Sequence, residues 1–312
     1  MTKSALALLA CALGLTACGG GQPRPKEVVP LRAIAPPAHP AGASHVVVIV
    51  MENKEYGDVI GSSSSPYVNA LARRYASATG FFGVRHPSLP NYLALTAGTT
   101  FGVDSDCTDC QQSGPSIVDQ LEAAGVTWKA YMGGVPSACF KGASSGQYAK
   151  KHDPFMYYDR VANNAARCAK VVPEGELSRD LAAGRLPTFA FLSPGLCDDT
   201  HDCALDQGDR YLLRALPPIL SALGPRGFLV LTWDEGTSDK GCCGGLASGG
   251  QIATVIAGPG VRRGASLPGP YTHYSTLRLI EDALKLPRLG NAANPRVNSL
   301  SPAFTSGVPH LR

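Results

Sequence analysis

Apolar residues fall into a few dense runs separated by polar stretches rich in glycine and proline. The first run, residues 46–50, is five β-branched residues with no polar break, and it ends in Met51-Glu52-Asn53. Such a run predicts a strand buried on both faces, as in a parallel sheet covered by helices. Residues 188–193, 227–235 and 251–257 predict three more core strands, and 79–84 and 127–131 two shorter ones. Between them, helices are predicted over 66–76, 88–98, 116–125, 177–183, 206–223 and 272–284. Ser88 is a good cap for the second of these and Gly98 a good terminator. The alternation gives an α/β fold with a mostly parallel central sheet covered by helices on both faces. Residues 133–175 lack periodicity and read as an insertion crossing the top of the sheet.

The chemistry collects where the runs end. In open α/β sheets, ligands bind outside the carboxyl ends of the strands. One core strand discharges Glu52 and Asn53 there, another Asp234 and Glu235. Two buried strands that deliver oxygen ligands to one edge suggest a shared metal site. Ser88, at a helix start, offers either a plain cap or a nucleophile beside free N–H groups that suit a phosphate. The 188–193 strand runs into a loop holding Asp198, Asp199, His201 and Asp202 between Cys197 and Cys203. His273 lies at the start of the last helix, a place like that of Ser88.

Composition refines this picture. The chain has 312 residues, 44% hydrophobic and 17% charged, with a net charge of +4. The basic residues are scattered, so no nucleic-acid surface is indicated. Lys3, the apolar run 5–15 and Leu15-Thr16-Ala17-Cys18 make residues 1–17 an export signal. Its end is similar to a lipoprotein signal, with Cys18 as the lipidated residue that anchors the chain to a membrane; a plain secretory signal is the alternative. Residues 18–43 read as a flexible tether, and 44–312 as one domain, exported and without an obligate protein partner. Eight cysteines lie beyond Cys18. An even count in an exported chain reads as disulfides. Local pairing would join Cys107–Cys110, Cys139–Cys168, Cys197–Cys203 and Cys242–Cys243; half a zinc site at Cys107 and Cys110 is the other reading.

Five motifs occur in one order: the strand ending in Glu52-Asn53, His86-Pro-Ser-Leu-Pro-Asn-Tyr92, Asp199-Thr-His-Asp202, Thr232-Trp-Asp-Glu235 and Thr272-His-Tyr-Ser275. Together they resemble the bacterial phosphoesterase family of acid phosphatases and phospholipase C-type enzymes, within the alkaline phosphatase superfamily. The resemblance covers residues 44–290 and implies an alkaline-phosphatase-like fold. It implies a divalent metal ion held by Glu52, Asn53, Ser88, Asp234 and Glu235, with Ser88 as nucleophile. His201 and His273 would serve proton transfer and, with Asn91 and His86, hold phosphate; Asp202 would orient His201. Asp198 and Asp199 leave room for a second ion. The expected activity is phosphomonoester hydrolysis through a phosphoserine, on phosphoinositide or other cell-surface substrates. A phospholipase C-type phosphodiesterase and a non-catalytic envelope lipoprotein are the alternatives.

Overall fold

The structure, a computed structural model, describes residues 1–2 and 43–311. The signal, the Cys18 anchor and nearly all of the tether lie outside the described residues. None of the described helices is long and apolar enough to cross a membrane.

Nine strands form one sheet. Its centre is the predicted Val46–Met51 strand, wholly buried and flanked by Phe228–Trp233 and Phe189–Ser193, both parallel to it. Trp128–Met132 and Val171–Pro173 extend this parallel block on one side. On the other side Gln251–Ala257 runs antiparallel, followed by Ala76–Phe82 and the short strands Ser266–Leu267 and Tyr271–Thr272. Pro66–Arg74 packs against Leu205–Ala222, and Ser88–Ala97 against His273–Leu284, so helices cover the sheet on both faces.

Three features that the sequence reading did not contain bear on the site. Ser88 is the first helical residue rather than the cap; extended Pro87 takes the cap position, and Ser88 makes no capping bond. The 133–175 stretch is more ordered than its lack of period suggests. It holds the edge strand Val171–Pro173, a hairpin of Ser144–Ser145 and Tyr148–Ala149, and a 3₁₀ turn at Lys150–His152. These pieces are too short to register as a period. The third is a positive φ of 80° at β-branched Thr200, where the chain is strained. All four locally paired disulfides are present.

The His273–Leu284 helix carries a buried acid. Glu281 accepts from Leu289 N–H at 2.8 Å, while its second oxygen is buried with no hydrogen-bond partner. Burial pushes the Glu281 carboxyl up to about 8. Its folded pKa lies above the ordinary value of 4.5. The stabilisation is therefore complete at acid pH and is lost as pH rises through the folded value. Melting temperature is expected to fall between about pH 5 and about pH 8 in the native protein, and less steeply in Glu281→Gln. Parallel curves for the two proteins would contradict this.

Candidate active site

The register that pairs Met51 with Trp233 places Glu52 beside Asp234 at the strand ends. Asp234 N–H donates to Met51 O at 2.9 Å, which locks the two ends together. Asn53 takes a left-handed φ of 48°, which asparagine tolerates, and its N–H donates to Asp234 Oδ1 at 3.0 Å. The Ala76–Phe82 strand leads through a tight turn to Ser88. There Ser88 Oγ lies 3.1 Å from Glu52 Oε2, 3.4 Å from Asn53 Oδ1 and 3.4 Å from Glu235 Oε1. All five predicted metal ligands therefore meet.

The meeting has the character of a cation site. The inward end of the Asn53 amide faces Asp234 oxygens at 3.1 and 3.2 Å, Glu52 Oε2 at 3.2 Å and Glu235 Oε1 at 3.3 Å. As a carbonyl, that end meets only acceptors. Turned over, the amide would donate to those same oxygens; with the carbonyl inward, the converging oxygens fit a hard or borderline divalent ion between them. Burial, and then the Glu52 and Glu235 charges, push the Asp234 carboxyl well above the usual range. Burial pushes Glu235 up to about 7. A cation held by these oxygens would relieve this repulsion.

The structure adds a second, buried layer that the sequence reading did not include. His152 Nε2 is 3.1 Å from Glu52 Oε2, and its Nδ1 is 3.3 Å from Asp199 Oδ2. Burial opposes charge on this ring, but Glu52 and Asp199 outweigh it and hold His152 up to about 9. Burial likewise opposes charge on Glu52, and His152 overcomes that and lowers it. Tyr92 donates to the other Glu52 oxygen and stacks on the His152 ring, with centroids 5.6 Å apart. Glu52, His152 and Asp199 could by themselves hold an ion. With both ring nitrogens facing carboxylates, a protonated His152 meets the same need. Asp198 turns away and accepts from Gln207 at 2.7 Å.

A third layer opens to solvent. His86, Lys151 and His201 keep 35%, 21% and 26% of their side-chain surface, so they can meet a substrate. His86 Nδ1 binds Glu235, and its Nε2 lies 3.1 Å from Ser238 O. His201 Nδ1 donates to Asp202 Oδ1 at 2.6 Å, the expected orienting contact. The neighbouring His201 Nε2 faces Lys151 Nζ at 3.1 Å.

Asn91 and His273 are placed differently from their expected roles at phosphate. Asn91 Oδ1 accepts from Val84 N–H at 2.6 Å and Arg85 N–H at 3.1 Å, and its amide donates to Arg85 O at 2.7 Å. Those bonds use the side chain to shape the turn before Ser88. His273 lies behind the strand end, with Nε2 on the Asp234 carbonyl and its ring edge-on to Phe81. Burial holds His273 down to about 4, so it is neutral and donates to that carbonyl.

The loop bearing Asp199 and His201 is tied down from three sides. Cys197 and Cys203 close it. Gln147 of the insertion accepts from Leu196 N–H at 2.9 Å and from Cys197 N–H at 2.8 Å. Thr200 donates to Glu52 O at 2.8 Å. These ties explain how a β-branched residue persists at φ 80°.

The Phosphoesterase family profile matches residues 61–287. The chain is 35% identical over 274 residues to the phosphatidylinositol-3-phosphatase of Mycobacterium tuberculosis, covering 85% of each. It is 30% identical over 254 residues to an acid phosphatase of Aspergillus fumigatus, covering 77% of this chain and 54% of that longer protein. Among solved structures, an alkaline phosphatase superfamily protein from Vibrio parahaemolyticus overlays with a TM-score of 0.55 at 12% identity, over 86% of this chain and 73% of that one. That last likeness concerns the fold.

Two outcomes follow from the geometry. A divalent ion such as manganese is expected to raise the melting temperature of the metal-free protein, because the oxygens that would hold it converge only in the folded chain. Asp234→Asn should abolish that rise; a rise that survives would place the ion elsewhere. The Cys197→Ser, Cys203→Ser double variant frees the loop and is expected to lose about 100-fold in turnover through misplacement of Asp199 and His201. Unchanged turnover would show that the other ties suffice.

Proposed function

The chain belongs to the Phosphoesterase family, and on that premise we propose that it is a metal-assisted acid phosphatase that hydrolyses phosphate monoesters through a phosphoserine at Ser88. The observation that carries this reading is the convergence of Ser88 Oγ on Glu52, Asn53 and Glu235 at 3.1–3.4 Å. A serine at a buried helix start, ringed by oxygen ligands, has no need of that company as a structural residue. The curated relatives named above are phosphatases of phosphate esters by name, which supports the same class.

Glu52, Asn53, Ser88, Asp234 and Glu235 would hold the divalent ion. When bound it supplies Lewis acidity and a lowered pKa for the serine hydroxyl. The protein's own groups do the rest. Glu52 Oε2 accepts the Ser88 hydroxyl proton at 3.1 Å, which turns the oxygen lone pairs toward an incoming phosphorus. Ser88 Oγ forms the new P–O bond as the ester P–O bond breaks. His201, oriented by Asp202, works from Nε2: freed of the resting contact with Lys151 Nζ, that nitrogen carries a proton to the leaving oxygen and takes one back from the water that frees the phosphate. His86 holds Glu235 toward the site, and the protonated His152 holds Glu52. Preorganised charge of this kind is the main resource for phosphoryl transfer.

Two finer readings belong to the same proposal. The likeness to an enzyme named for phosphatidylinositol 3-phosphate supports a phosphoinositide headgroup as one substrate. The four disulfides fit an oxidising compartment and so export; attachment to a membrane through Cys18 rests on the Leu15–Cys18 pattern alone.

The test is hydrolysis of para-nitrophenyl phosphate beside its bis-ester, with and without chelator. Preferential monoester cleavage is expected, abolished by chelator and reduced at least about 1,000-fold in Ser88→Ala. Preferential diester cleavage would favour a phospholipase C-type reading. No turnover of either ester would favour a non-catalytic envelope protein.

A further inference from the structure

Lys151 lies in the segment that sequence periodicity left unread, outside the five motifs and the proposed metal ligands. Its side chain has a defined position. Nζ donates to Asp106 Oδ2 at 3.0 Å and faces His201 Nε2 at 3.1 Å. The second Asp106 oxygen accepts from Leu89 N–H at 2.9 Å, one residue past the nucleophile. On the other side, the next residue, His152, reaches Glu52 at 3.1 Å. A hydrogen-bonded chain therefore runs from Asp202 through His201, Lys151 and Asp106 to the start of the Ser88 helix.

An ion pair at a surface contributes little to stability and rarely holds a fixed geometry. This one is mostly enclosed, and it involves a group with three N–H bonds. Two are used, on Asp106 and His201; the third is free at the open rim. Burial disfavours the Lys151 charge, but Asp106 outweighs it, and Glu52 and Asp234 add to the effect from the metal side. The ammonium is thus a lasting positive charge, joined through Asp106 to the start of the Ser88 helix. Asp106 meanwhile occupies an amide of the helix start, a place that otherwise suits a phosphate oxygen. An incoming phosphate competes with Asp106 for Lys151.

We propose that Lys151 is a specificity-determining residue that binds a non-bridging oxygen of the substrate phosphate and selects the dianionic monoester over the monoanionic diester. This rests on the phosphatase reading above. A monoester offers two negative charges and a free terminal oxygen; a diester offers one charge and has an alkyl arm in that place. A localised ammonium gains more from the first than from the second.

The experiment compares kcat/KM for para-nitrophenyl phosphate and methyl para-nitrophenyl phosphate in the metal-loaded protein, and measures inhibition by inorganic phosphate. In Lys151→Gln the monoester-to-diester ratio is expected to fall about tenfold or more, and phosphate to bind about tenfold more weakly, the scale of a lost charge-assisted hydrogen bond. Lys151→Arg should recover part of both. Asp106→Asn keeps an acceptor for Leu89 but releases the ammonium, so phosphate should bind more tightly; this arm serves even if Lys151→Gln does not fold. An equal loss on both substrates with unchanged phosphate affinity would assign Lys151 to supporting His201 and overturn the proposal. Unchanged or weaker phosphate binding in Asp106→Asn would overturn it as well. Native monoester turnover that disappears in Ser88→Ala stands whichever way these arms fall, so a failure here is separable from a failure of the phosphatase reading.

Discussion

The structure depends on one electrostatic constraint: Glu52, Asp199, Asp234 and Glu235 are gathered at one edge of the sheet, with between 0% and 5% of their surface exposed. Unpaired buried carboxylates are costly, and pairing or a metal ion is the usual remedy. Here two kinds of positive charge are provided for. On the His152 side, the imidazole ring sits between Glu52 and Asp199, whose charges favour its protonated form. On the Ser88 side, five oxygen donors are left facing a common space that suits a divalent cation. Much of the nearby detail follows from that arrangement. Tyr92 takes the remaining Glu52 oxygen, and His86 takes a Glu235 oxygen. His273 and Thr200 hold the main-chain carbonyls of Asp234 and Glu52.

The fold serves this constraint by delivering each group from the carboxyl end of a strand, where a rigid parallel block fixes spacing to the register. Glu52, Ser88, Asp199 and Asp234 follow the strands Val46–Met51, Ala76–Phe82, Phe189–Ser193 and Phe228–Trp233. The insertion brings the cationic groups. Its Lys150–His152 turn carries both Lys151 and His152, and its hairpin pins the loop of Asp199 and His201 through Gln147. The acids are thus set by the core, and the cations by a segment fastened over it. Disulfides act where no strand register reaches, in the insertion and the loops around the mouth.

What was legible in the sequence is what lies next to a strong local signal. Glu52-Asn53 and Asp234-Glu235 stand directly after unbroken apolar runs, and Ser88 stands at the start of a helix, so element and ligand are read together. The Cys197–Cys203 loop is marked by its own cysteines. His152 and Lys151 have no such neighbour. Their places depend on contacts with Glu52, Asp199, Asp106 and His201, from 45 to 100 positions away in sequence. The charged run Lys150-Lys151-His152-Asp153 before Pro154, in a segment otherwise poor in pattern, was the available signal. Asn91 and His273 show the converse. Both residue types suit phosphate binding, yet main-chain groups that need partners claim them first, since a buried carbonyl or N–H left unpaired is unfavourable.

The central claim is that Ser88 carries the phosphoryl group during turnover. Its most direct test is mass analysis of the protein quenched into denaturant at neutral pH while it hydrolyses an excess of monoester, conditions that preserve both phosphoserine and phosphohistidine. The expected result is a phosphoryl group on Ser88 and on no other residue. A phosphoryl group on His201 or His152, with Ser88 unmodified, would contradict the account.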